Sequence, residues 1–246
     1  MAQKDPIGVV FDFDGTLTPK HYGSLITVVE KCCLPEGEAE KAERIKKLYF
    51  RKAALGPVAP SIERRLIRTA LQSYAECGLR REQWQRSLNE VKLREGVADK
   101  IRELTGRGIR VGVISFSVAD FIERVLELNG LGGAVHRVYA ARLIHDKRNK
   151  TVVGWNSRTL VHPFDKGIWS MVFAKHYGIA PERLLAVGDS IGDYMLGLRQ
   201  ELRLGIAKDK EEANTVAPYM GEVITTEDFS QVGDWIDKKI RLILSG

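Results

Sequence analysis

Cysteine is scarce in this chain. Cys32, Cys33 and Cys77 are all there are, two of them adjacent, with no CxxC pair. An odd count in that arrangement excludes a disulfide framework and supplies no structural zinc site, and it makes a reducing cytoplasm the expected setting. Long apolar runs are missing as well. No stretch reaches the roughly 18 apolar residues of a transmembrane helix, so no membrane partner is expected. The opening MAQKDPIGVVFDFDG lacks a signal-peptide pattern, because its apolar run is short and interrupted by Asp12 and Asp14. Internal repeats and low-complexity tracts are absent too.

What is present is an ordinary globular composition. The 246 residues are 44% hydrophobic and 28% charged, enough for one large domain or a domain with an insertion. The formal net charge of +6 suits nucleic acid, anionic lipid or small phosphorylated ligands and selects none of them.

Three apolar runs punctuate the chain: GVVF at Gly8 to Phe11, IRVGVI at Ile109 to Ile114, and LLAV at Leu184 to Val187. Each ends in a polar residue and is followed by a helical pattern; after Ser115, for example, Val118, Ile122, Val125 and Leu126 recur at helical spacing. This alternation predicts an α/β fold, a doubly wound parallel sheet with helices on both faces. In such sheets the site lies beyond the carboxyl ends of the strands, which is where Asp12, Ser115 and Asp189 fall. From about Lys20 the pattern changes. Ile62, Leu66, Ala70 and Tyr74 recur every four residues beside Ile67 and Leu71, which predicts an all-helical insertion, read as a cap domain. The expected division is a core of residues 1–19 and 94–246 and a cap of residues 20–93. Val138 to Trp155 reads as a hairpin around Asp146 to Asn149, and Phe229, Val232, Ile236, Ile240 and Ile243 mark a terminal amphipathic helix.

The sharpest chemical signal is Asp12-Phe13-Asp14-Gly15-Thr16 directly after the first run. A carboxylate is a competent nucleophile toward phosphorus. A second carboxyl two residues on can protonate a leaving oxygen and then deprotonate water. Gly15 permits an unusual backbone turn. The same five residues also read as a charged turn closing a strand, and by themselves they do not choose.

DFDGT after an apolar strand resembles the first motif of the haloacid dehalogenase superfamily of phosphotransferases, and three further elements occur in that superfamily's order. Val113-Ile114-Ser115 resembles the second motif. The resemblance makes Ser115, with the main-chain N–H of Phe116, a binder of phosphoryl oxygens; Ser117 is the rival hydroxyl. Phe164-Asp165-Lys166-Gly167 resembles the third, with Lys166 neutralising phosphate charge, the alternative being a solvated surface lysine. Gly188-Asp189-Ser190-Ile191-Gly192-Asp193 resembles the fourth. It implies a magnesium ion held by Asp12, the main-chain carbonyl of Asp14 and Asp189, with Asp193 in an outer-shell role. The fold implied is a Rossmann-like core with the helical cap inserted after the first motif.

The resemblance implies a magnesium-dependent phosphatase that cleaves a small phosphorylated substrate through an aspartyl-phosphate on Asp12, with Asp14 as acid and base. Dehalogenases of the superfamily lack the second aspartate, which is present here. The cap position is similar to the branch that contains phosphoserine phosphatases and pyrimidine 5′-nucleotidases. Phosphoserine enzymes carry an acidic residue shortly after the first motif, whereas Thr18-Pro19-Lys20-His21-Tyr22 has none. They also have glycines where Phe116-Ser117 stand. His21 and Tyr22, just past the catalytic loop, are the candidates for substrate contact. The basic residues Arg44, Lys46, Lys47, Arg51, Lys52, Arg64, Arg65 and Arg68 read as a solvated helix face or as a surface for an anion. Alternatives on the same fold are a phosphomutase and a non-catalytic binding protein; the intact Asp12, Asp14, Lys166 and Asp189 argue against the latter. No nucleic-acid-binding module is recognisable, so no nucleic-acid partner is expected.

Overall fold

The computed structural model describes residues 5–38, 40, 44 and 60–245. At its centre lies β1 (Gly8–Phe11), flanked in parallel by β2 (Arg110–Val118) and β5 (Leu184–Gly188). Beyond β2 come β3 (Arg137–His145) and the antiparallel edge strand β4 (Val152–Asn156). Beyond β5 come β6 (Arg203–Ala207) and β7 (Glu222–Thr225), both parallel. The order is β4-β3-β2-β1-β5-β6-β7. After β1 the chain fills one side of it through β2 to β4, then crosses to fill the other. That reversal beside β1 is the switch point at which ligands bind in open α/β sheets.

Every residue of β1 is buried, as a strand paired on both edges and covered on both faces requires. On one face, Val9, Phe11, Val111 and Val113 share a core with α4 (Val97–Gly106), α5 (Ala119–Leu128) and α8 (Phe229–Ser245). On the other, Val10 and Ile114 pack with Phe173 and Ala174 of α6 (Lys166–Tyr177). A side chain at Gly112 would put its Cβ 2.8 Å from the Phe173 ring, so this glycine is what lets α6 lie so close to β2. The terminal helix buries Phe229, Val232, Ile236 and Ile240, as its spacing predicts. The hairpin predicted over Val138 to Trp155 is the β3–β4 pair.

Between β1 and β2 lie α1 (Leu25–Cys33), α2 (Pro60–Glu76) and α3 (Arg81–Ser87). Their buried residues, among them Leu25, Val29, Leu71, Tyr74 and Trp84, join the core of the sheet rather than forming a separate one. Phe121 of α5 is a meeting point, with the rings of Tyr74 and Trp84 at 5.9 and 5.2 Å. Several hydrogen bonds fasten the insertion, among them two between backbones, one at β4 and one at its ends. The Val152 N–H donates to the Leu79 carbonyl at 2.8 Å, and the Arg94 N–H donates to the Leu17 carbonyl, also at 2.8 Å. Of the basic residues in the insertion, Arg44, Arg65 and Arg68 are exposed. Lys46, Lys47, Arg51 and Lys52 lie outside the described residues, as do the side chains of Arg64, Ile62 and Leu66. No helix among the described residues is long and apolar enough to cross a membrane.

One local departure bears on the site. The second apolar run is expected to end at Ser115, but β2 continues to Val118. Its pairing with β3 shifts between Ile114 and Val118, which face Tyr139 and Ala141. The strand therefore bulges at Ser115 to Ser117. Bulges beside a site re-aim side chains without ending the strand. Here the alternation of Ile114, Phe116 and Val118 carries the strand onward.

Candidate active site

Asp12 leaves β1 at its carboxyl end, its N–H still donating to the Val187 carbonyl of β5 at 2.9 Å. The chain then curls tightly, and the Phe13 carbonyl accepts from the N–H groups of Leu17 at 2.9 Å and Thr18 at 3.2 Å. The curl needs Gly15, whose φ is +79° and whose Cβ, if present, would lie 2.4 Å from the Asp189 Oδ2. The neighbouring strand end, after β5, supplies Asp189, whose Oδ1 accepts from the Thr16 hydroxyl at 3.3 Å. Two segments remote in sequence are thereby locked face to face.

Lys166, the first residue of α6, is buried among these carboxylates. Its Nζ donates to Asp12 Oδ1 at 2.8 Å and Asp193 Oδ1 at 2.5 Å. The other oxygen of Asp193 accepts from the N–H groups of Asp189 at 3.1 Å and Ser190 at 3.0 Å, and from the Ser190 hydroxyl at 2.9 Å. Asp193 is thus fully occupied as a clamp on its own loop and on Lys166.

Burial pushes the Asp12 carboxyl up to about 6, although Lys166 pulls the other way. Asp189 rises to about 7, again through burial, with Lys20 opposing. Burial disfavours the Lys166 charge, yet Asp12 and Asp193 hold its ammonium above the ordinary lysine range. Asp14 faces elsewhere. Its Oδ1 accepts from the Leu25 N–H at 3.0 Å, at the start of α1. Burial and the charge of Asp12 raise it to about 7, opposed by that N–H. The bulge flanks the half-buried Phe116 with two buried serines, Ser115 and Ser117, and the Ser117 hydroxyl has no hydrogen-bond partner among the described residues.

The carboxylate oxygens of Asp12, Asp189 and Asp193 lie within 4.8 Å of one another. Since Asp193 is spent on Lys166 and its own loop, Asp12 and Asp189 are the donors left for a cation. Hard oxygen donors at this spacing fit an ion that takes a few carboxylates at about 2.0–2.1 Å and completes its shell with water and phosphate oxygens. The structure thus brings together Asp12, Lys166, Asp189 and Asp193. It points Asp14 toward α1 and leaves the two expected substrate contacts aside. His21 is exposed, its ring 4.3 Å from that of Tyr22, and the Tyr22 hydroxyl donates to the Glu90 carbonyl at 3.1 Å. From this turn the residue that reaches the cluster is Lys20, 3.1 Å from Asp189 Oδ2 and 2.8 Å from Glu212 Oε1. Sequence pattern alone assigns Lys20 no role. The available signal is a lysine held by Pro19 just beyond the first strand end.

A doubly wound sheet with an acid cluster and a buried lysine at its switch point defines a class of α/β hydrolase cores. The model of the haloacid dehalogenase-like hydrolases matches residues 9–197, and the chain belongs to that family. Among curated proteins it is 24% identical over 204 residues to a phosphoserine phosphatase from Archaeoglobus fulgidus, covering 83% of this chain and 53% of the relative. The chain thus spans about half the length of that relative. A structure of substrate-bound phosphoserine phosphatase superposes with a TM-score of 0.70 at 22% identity, covering 95% of this chain and 99% of the other. Cytosolic 5′-nucleotidase IIIB bound to cytidine superposes with a TM-score of 0.68 at 19% identity, covering 98% and 88%. At these identities the likeness is one of fold.

Proposed function

We propose that this chain is a magnesium-dependent phosphomonoester hydrolase that acts on a small phosphorylated metabolite through an aspartyl-phosphate intermediate. The observation that carries the reading is Asp12: a carboxylate at the end of the central strand, aligned by the Lys166 ammonium at 2.8 Å and grouped with Asp189. Family membership and the likeness to a phosphoserine phosphatase and a 5′-nucleotidase support it.

In this reading Asp12 attacks phosphorus in line with the departing oxygen. Lys166 and the Ser115 hydroxyl, with the Phe116 N–H, balance charge on the transferring group. Asp14, raised to about 7, carries a proton near neutral pH and delivers it to the leaving oxygen; its carboxylate then takes a proton from the water that hydrolyses the aspartyl-phosphate. Magnesium, held by Asp12, Asp189 and the Asp14 main-chain carbonyl, supplies Lewis-acid neutralisation of phosphate charge. Residues 20–93 act as the cap over the strand ends, and residues 1–19 with 94–246 form the core.

The test is hydrolysis of an aryl phosphate by the purified chain. Turnover that requires magnesium, stops with chelator and is lost in Asp12→Asn is expected; no turnover by the native chain with magnesium overturns the reading. Phosphoserine, nucleoside monophosphates and sugar phosphates form the substrate panel. Return of the phosphoryl group to a second hydroxyl of the substrate identifies a mutase instead.

A further inference from the structure

Lys20 opens a short turn, Lys20–Tyr22, at the start of the helical insertion. Its ammonium lies among three oxygens: Asp189 Oδ2 at 3.1 Å, the Asp189 carbonyl at 3.3 Å and Glu212 Oε1 at 2.8 Å. Its side chain is 18% exposed and that of Asp189 13%, so water screens their attraction only in part. Glu212 belongs to α7 (Lys210–Val216) and is itself fixed, because its second oxygen accepts the Lys208 N–H at 2.6 Å. Nothing in the proposed chemistry uses either residue.

Charge decides what the pair does. In formal charges, Asp12, Asp189, Asp193 and Glu212 set against Lys166 and Lys20 leave two negative charges unbalanced. A divalent cation on Asp12 and Asp189 balances both, and the Lys20 ammonium beside it then becomes repulsive. It also competes for the Asp189 carboxylate. We propose that Lys20 is a tethered competitor for the divalent cation. It neutralises Asp189 before the ion arrives and withdraws onto Glu212 when the ion binds. Lys20 therefore weakens cation affinity, and Glu212 strengthens it by giving the displaced ammonium a second partner. This rests on the reading of the acid cluster as a magnesium site.

The test is calorimetric titration of magnesium into the full chain without substrate, using the native protein, Lys20→Met, Glu212→Gln and Asp189→Asn. Lys20→Met is expected to lower the Kd about three- to tenfold, roughly 0.7–1.4 kcal/mol. Glu212→Gln is expected to raise it by a similar factor. A merely structural pair would lower thermal stability in both variants and shift the Kd in one direction. Unchanged or weaker binding in Lys20→Met overturns the proposal, as does tighter binding in Glu212→Gln. Native binding that Asp189→Asn abolishes upholds the metal site whatever Lys20→Met does. Absence of such binding in both the native chain and Lys20→Met removes the site and the inference together.

Discussion

Asp193 holds Lys166 at 2.5 Å through one oxygen while its other oxygen fastens the loop that presents Asp189. A single buried carboxylate therefore positions both the ammonium and one of the acid cluster's two remaining donors. Asp193→Asn is expected to lower kcat by about 10- to 100-fold, the usual cost of removing a group that orients a ligand, and to weaken magnesium binding. Steady-state kinetics with calorimetry checks both effects.

Lys166 is buried between two carboxylates. Replacing it with Met leaves them without their cation, a loss that costs about 3–5 kcal/mol when one partner of a buried pair is removed. Lys166→Met is expected to lose turnover and to unfold at markedly lower denaturant concentration. A chemical denaturation curve read beside the native protein decides it.

Asp14 gives a pH prediction whose sign is opposite to that of a salt-bridged aspartate. Its folded-state value of about 7 lies above the ordinary value of 3.8, so across that window the native state holds the proton more often than the unfolded chain does. The stability this confers is full below the ordinary value and is lost as pH rises through about 7. Asp14→Asn is therefore expected to raise the melting temperature by a few degrees at pH 8, with a smaller gain at pH 5, while slowing turnover. Thermal melts of both proteins at the two pH values measure it.

Gly15 leaves no room for a methyl group against Asp189, and its positive φ already disfavours one. Gly15→Ala is expected to reduce magnesium affinity and turnover together, because the new Cβ displaces the Asp189 carboxylate. Gly112→Ala is expected to leave the chemistry intact and to destabilise the fold by about 1–3 kcal/mol through overpacking against Phe173. Comparing melting temperature with kcat in the two variants separates the effects.

The parts that were legible in the sequence share one physical property: local pattern and final position coincide. Asp12 and Asp189 each come directly after an apolar run that becomes a buried strand, and Lys166 opens a helix. Parallel pairing then brings these positions together without any further instruction. The β2 bulge was not legible, because SFSV alternates like the strand before it and the shift exists only relative to β3. Strands β6 and β7 were hard to see because RLGIA and EVIT are short, and the latter is only half-buried at the sheet edge. The direction of the Asp14 side chain depends on an N–H from α1. The Lys20–Glu212 pair joins segments that meet only once β6 and α7 are in place. The helical insertion was legible as helix, but not as a sharer of the sheet's own core.

The bond from the Arg94 N–H to the Leu17 carbonyl has an architectural consequence. The chain leaves the sheet and re-enters it at the same place, and the Arg94 guanidinium reaches back to the Gly15 carbonyl at 2.7 Å. Everything between those residues is a parenthesis in the polypeptide. Because Tyr74 and Trp84 pack on Phe121 and the Leu25 N–H holds Asp14, a replacement spliced in at the Leu17–Arg94 seam keeps the sheet and the reaction centre in place only if it rebuilds those contacts.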